Sequence, residues 1–107
     1  SDALPVEKQL KLEIARMVKE NFLQQNAFHD VDTFSSPEKT YKLLEKIMEF
    51  GENAEEALDS GAELGKINSL ESKTLLGEVR FREEFEEKIE DIEKKMEEEF
   101  EELGGDR

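Results

Sequence analysis

The chain has 107 residues, 41% of them charged, with 29 acidic against 15 basic side chains and a formal net charge of −14. That length allows one domain or part of one, able to bury roughly 60–70% of its unfolded surface, and the negative balance excludes a basic face for nucleic-acid phosphates or an anionic membrane. The absence of cysteine excludes disulfides, zinc–thiolate sites and thiol chemistry, and no run nears the roughly eighteen apolar residues of a membrane span.

In chain order, Val6, Leu10, Ile14, Met17, Val18 and Phe22 recur at helical steps and predict a first helix from about Pro5 to Phe22. Pro5 suits the first turn, where its missing N–H costs nothing. Arg16 and Lys19 lie toward the end of the helix dipole that favours cations. The stretch NFLQQNAFHDVDTF, residues 21–34, departs from its acidic surroundings with amides, three phenylalanines and the only histidine. It is expected to break the helix by about Asn26. A second helix starts clearly: Ser36 is an N-cap before Pro37, or Ser35 and Glu38 form a capping box. Its apolar stripe reads Tyr41, Leu44, Ile47, Met48, Ala54, Ala57 and Leu58, with Gly51 predicting a bend and Gly61 a C-terminal stop.

Between Gly61 and Gly77, Leu64, Ile67, Leu70, Leu75 and Leu76 among small and polar residues predict short helical turns. The last helix is predicted from about Gly77 to Leu103, ending at Gly104–Gly105. Phe81, Phe85, Ile89, Ile92, Met96, Phe100 and Leu103 step by 4, 4, 3, 4, 4 and 3, a single narrow seam that must cover something. Residues 78–102 hold thirteen acids and five bases, net −8, so the remainder carries −6. The phenylalanines suit packing on helices of the same domain better than a two-stranded coiled coil, which prefers Leu, Ile and Val. No strand pattern and no internal repeat is present. The predicted fold is all-α: one helical domain over 1–107, a small bundle with a long acidic amphipathic helix over 78–103.

Few constellations carry chemistry. GAELGKI at Gly61 has three residues between its glycines where a phosphate-binding loop needs four, and Ile67 stands where a Ser or Thr hydroxyl would hold magnesium. It reads as a helix terminus. His29, Asp30 and Asp32 lack the further ligands or bases of a metal or acid–base site and suit local turns. The terminal glutamates decorate a helix instead of converging from a glycine-bearing loop, so calcium is not implied. No catalytic or metal set emerges. Phe28 and Phe34, six apart between two helices, have two readings. They tuck into the core, or they wall a pocket for a flat ring, with Gln24, Gln25 and Asn26 as hydrogen-bonding candidates.

The run NFLQQNAFHDVDTFSSPEKTYKLLEKI, with DALPVEKQLKLEIARMVKE before it, resembles the pattern DFLQQNAF…VDT(Y/F)xSxEK of the catalytic subunit of archaeal and vacuolar-type rotary ATPases. The likeness covers nearly the whole chain as the C-terminal helical domain of that subunit, and the acidic ending is similar to its archaeal members. The motif around Phe22–Phe34 is the specific part. The resemblance implies that Phe28 and Phe34 occupy the positions of two aromatics that line the adenine pocket, with the phosphate half of the site on another domain. Many family members have Tyr-Cys where this chain has Phe34-Ser35, a change that leaves stacking intact.

The resemblance also likens Asp2-Ala3-Leu4-Pro5-Val6-Glu7 to the acidic helix-turn-helix tip that presses on the rotating central stalk, with Asp2, Leu4 and Glu7 as rotor-contact residues. It implies ATP or ADP with Mg²⁺ in a parent subunit that synthesises or hydrolyses ATP coupled to proton or sodium transport. The implied partners are the nucleotide-binding domain of the same subunit, neighbouring non-catalytic B subunits and the central stalk. The implied location is the cytoplasmic head, peripheral to the membrane. The chain itself has no phosphate-binding loop, catalytic glutamate or magnesium ligands of that family, so alone it is expected to be inactive and without a cofactor. Helices expected to precede the stalk-facing turn would leave apolar faces exposed and favour self-association. The alternative is a free-standing acidic interaction module without a nucleotide role.

Overall fold

The computed structural model describes residues 4–27, 37–79 and 84–105, which form five helices: α1 (Val6–Ala27), α2 (Pro37–Asp59), α3 (Leu64–Asn68), α4 (Glu71–Glu78) and α5 (Phe85–Gly105). Among the described residues there is no strand, and the all-α bundle expected from the periodicities is the fold observed. α2 is its axis, packing against α1, α4 and α5.

The core is built on α2 by Leu43, Ile47, Phe50, Ala54 and Ala57, which step by 4, 3, 4 and 3 and keep one face turned inward. Leu10 and Met17 of α1, Ile67 of α3, Leu76 of α4 and the adjoining Val79 close on this row. From the other side come Phe85, Ile89, Ile92 and Met96 of α5. The predicted terminal seam therefore packs within the domain. Phe100 and Leu103 continue it along α5, and the Phe100 ring meets the fully buried Phe50 edge to face at a centroid distance of 5.3 Å.

Four expectations are corrected. α1 continues past Phe22 to Ala27, because leucine, glutamine and alanine are good helix formers and no glycine or proline interrupts them. Gly51 does not bend α2, which runs unbroken through it. Its missing side chain instead admits α1: a Cβ built on Gly51 would lie 3.3 Å from Cγ1 of Ile14. The terminal helix begins at Phe85 and not near Gly77, because Glu84 takes a left-handed φ of 58° that stops helix propagation there. Phe81 of the predicted seam lies outside the described residues, as do Ser35 and Ser36 of the expected cap of α2. Finally, Tyr41 and Met48 are not core: they are 70% and 53% exposed, beside the buried row that Leu43 and Phe50 complete.

The stop at Gly61 is where it was expected. Its φ of 106° is open to glycine, and the Gly61 N–H donates to the Leu58 carbonyl at 3.0 Å while the Ala62 N–H donates to that of Ala57 at 2.9 Å. These two bonds make a Schellman motif. The first glycine of GAELGKI thus terminates α2, and the second, Gly65, lies within α3. α4 begins without a side-chain cap of its own. The Glu99 carboxylate of α5 takes that role, accepting from the N–H groups of Glu71 at 3.0 Å and Ser72 at 3.1 Å.

The close seat of α1 on Gly51 gives a direct test. Gly51→Leu should force the two helices apart and destabilise the domain by about 1–3 kcal/mol, the usual cost of overpacking. Urea denaturation of the variant checks this, and a change within about 0.3 kcal/mol would mean that Ile14 yields freely.

Candidate functional site

The sequence places its candidate residues at the two ends of α1. At the N-terminal end, Gln9 reaches back so that its Nε2 donates to the Leu4 carbonyl at 2.9 Å, and its N–H donates to the Pro5 carbonyl at 3.0 Å. These bonds fix the entry turn, leaving Leu4 half-buried and Glu7 exposed. At the other end, the backbone of Gln24, Gln25 and Asn26 completes the last turn of α1. Asp2, Phe28 and Phe34 lie outside the described residues, as do His29, Asp30 and Asp32. At about 1.5 Å per residue, the 22-residue helix holds its ends roughly 33 Å apart.

The middle of α1 is clamped electrostatically. Glu13 is bound by both the Nε and the guanidinium Nη2 of Arg16, one turn on, and by Nζ of Lys73 from α4 at 2.6 Å. Arg16 also pairs with Glu20. The Arg16 hydrogen bond, with Lys73 adding to it against the opposing effect of burial, lowers the Glu13 pKa from 4.5 to about 2. The same carboxylates hold the Arg16 pKa above its ordinary value.

A second clamp joins α2 to α5. Burial disfavours the Lys46 ammonium, but its bonds to Glu93 at 2.7 Å and Glu49 at 3.3 Å outweigh that and raise its pKa above the usual lysine value. Lys95 of α5 pairs with Glu71 of α4 at 3.2 Å, which raises its pKa too. Sequence reading missed Glu13, Lys46 and Lys73, whose partners are separated by 47 to 60 residues in the chain.

One apolar groove opens on the same helix. Leu10, Ile14 and Val18 of α1 face Met48 and Gly51 of α2 across a cleft of about 790 Å³.

A family model described as the C-terminal domain of V and A type ATP synthase matches residues 1–68, more than half of the chain and all of α1 to α3. The chain belongs to this family. The likeness extends further along the chain in individual relatives. A protein of Methanosarcina mazei, named as the A subunit of an A-type ATP synthase, is 50% identical over 105 residues, covering 98% of this chain and 18% of that protein. Its namesake from Methanopyrus kandleri is 49% identical over 95% of this chain and 18% of its own length. That of Haloferax volcanii is 44% identical over 95% of this chain and 17% of its own length. The chain therefore spans less than a fifth of the length of these relatives. No solved structure matches it.

Within this member of the V and A type C-terminal domain family, the Glu13 clamp has a defined pH signature. A carboxyl whose pKa is lowered on folding adds stability in full above its unfolded value, near 4.5, and loses it as pH falls toward about 2. Glu13→Gln should cost on the order of 1–2 kcal/mol near neutral pH. The gap between variant and parent should close between about pH 4.5 and 2, as read by urea denaturation at a series of pH values. A gap that persists unchanged at pH 2 would show that packing and not charge holds Glu13.

Proposed function

We propose that this domain is the C-terminal helical part of the catalytic subunit of an ion-translocating rotary ATPase, supplying the adenine-side wall of the nucleotide site and a rotor-facing turn. The observation that carries this reading is the family match over residues 1–68, which includes both segments, together with relatives near 50% identity that are named as the A subunit of A-type ATP synthases.

In this reading Phe28 and Phe34 stack on the adenine ring, a contact tolerant of any π-face and worth about 1–3 kcal/mol per base. Gln24, Gln25 and Asn26, at the end of α1 beside Phe28, offer amide donors and acceptors to ring nitrogens. The phosphates, Mg²⁺ and the groups that make or break the terminal phosphate bond belong to the nucleotide-binding domain of the longer subunit, since this chain has no complete phosphate-binding loop. ATP synthesis or hydrolysis coupled to proton or sodium transport is then a property of the assembly, and the 107-residue chain alone turns over no nucleotide.

Asp2, Leu4 and Glu7 form the contact with the central stalk at the opposite end of α1 from the adenine wall. Neighbouring B subunits flank the domain in the assembled head, which lies outside the membrane. In keeping with that position, no helix among the described residues is long and apolar enough to cross a membrane.

The decisive experiment is Phe34→Ala in the longer subunit. Nucleotide affinity should fall by roughly tenfold to a hundredfold, the equivalent of one lost stacking contact, with the melting temperature unchanged. Unchanged affinity with a lowered melting temperature would make Phe34 a core residue and remove the adenine wall.

A further inference from the structure

The inward face of α1 changes character along its length. Leu10, Ile14 and Met17 step by 4 and 3 toward the core, and the next inward position, four residues on, is the buried but polar Asn21. Over this second half a cleft of about 240 Å³ separates α1 from α4. Arg16, Glu20 and Asn21 stand on one side of it, Lys73, Thr74 and Gly77 on the other. Lys73 crosses from α4 at the Arg16 end of the cleft, with its Nζ 2.6 Å from the Glu13 carboxylate and its side chain 14% exposed. Arg16 holds that carboxylate in place to receive it.

We propose that Lys73 is a positioning residue for nucleotide binding, a strut that sets the direction in which the last turns of α1 carry the adenine-side wall. The proposal rests on the reading above that this end of α1 lines the nucleotide site. Three observations point to it. Ala27 ends α1 thirteen residues after Ile14, about 20 Å on, so a tilt of about 3° displaces that end by about 1 Å. Errors of that size are costly where a ligand must be oriented. The apolar seat that resists such a tilt is tight where Ile14 meets Gly51, but beyond Met17 it gives way to the polar cleft, which the Lys73–Glu13 pair spans. Finally, the family model ends at residue 68, whereas α4 begins at Glu71. An element outside the shared segment thus braces the helix that carries the site.

Lys73→Met removes the strut and leaves Glu13 paired with Arg16. Lys46→Met is the matched control: its ammonium holds Glu93 between α2 and α5 with the side chain 12% exposed, so a comparable pair is lost away from α1. In the longer subunit, Lys73→Met should weaken ADP binding by about threefold to tenfold, a fraction of the stacking contact that Phe34→Ala removes whole. Lys46→Met should lower the melting temperature by a similar amount and leave ADP affinity unchanged, and Lys73→Arg should restore it. In the Phe34→Ala background Lys73→Met should have no further effect on affinity, because the two act through one contact. In the 107-residue chain, amide exchange at residues 21–27 should rise at least about fivefold more in Lys73→Met than exchange along α2.

Equal loss of affinity in Lys73→Met and Lys46→Met would overturn the proposal, since general destabilisation would then account for both. So would exchange at the end of α1 that Lys73→Met leaves unchanged, or an effect that simply adds to that of Phe34→Ala. A Phe34→Ala that weakens ADP binding beside a silent Lys73→Met removes the strut alone, whereas a silent Phe34→Ala removes the adenine wall itself, so the two readings fail separately.

Discussion

Two adjacent residues of α2 set both of its major interfaces. Phe50 is fully buried and turns toward α5, where the Phe100 ring meets it edge to face. Gly51, the next residue, lies about 100° around the helix and receives Ile14 of α1. A large ring on one side and no side chain on the other fix the roll of α2 about its own axis. A small rotation would lift Phe50 from its pocket and drive a neighbouring side chain into Ile14. The seating of α1, the docking of α5 and the opening of the groove all follow from that one orientation.

Charge is organised around the same frame. With 29 acids and 15 bases, the chain repels itself unless cations stand where helices meet. They do: Lys73 joins α4 to α1 through Glu13, Lys46 joins α2 to α5 through Glu93, and Lys95 joins α5 to α4 through Glu71. Glu99 shows that some acids are structural as well, since its carboxylate satisfies two N–H groups at the start of α4. Exposed pairs contribute little each. The half-buried ones at Glu13 and Lys46 matter more, because removing one partner leaves a charge that water only partly reaches.

Elements with a single strong signal were legible in the sequence. The α5 seam was plain because one narrow apolar row runs through an otherwise charged helix, and Gly61 was plain because its left-handed turn needs glycine. α2 misled because it has two neighbouring apolar rows. A one-dimensional pattern cannot say which faces the core: Tyr41 and Met48 share the stripe with Ile47 and Ala54, yet Leu43 and Phe50 are the residues that complete the buried row. The start of α5 was hidden because Phe81 continues the four-residue step across the break at Glu84. The clamps at Glu13 and Lys46 join residues far apart in the chain, and local periodicity carries no information about them. Phe28 and Phe34 were visible only as aromatics out of place; their proposed role came from family likeness.

The misassigned row on α2 and the uncovered groove are two views of one fact. A helix in a small bundle needs one apolar face, and α2 has about one and a half. The extra half adjoins α1 at Met48, close to where Ile14 sits on Gly51. α1 is thus held along its middle twice, by that close seat on α2 and by the Lys73–Glu13 pair from α4. Bending α1 would break packed and charged contacts together, so the helix moves with its domain as one body.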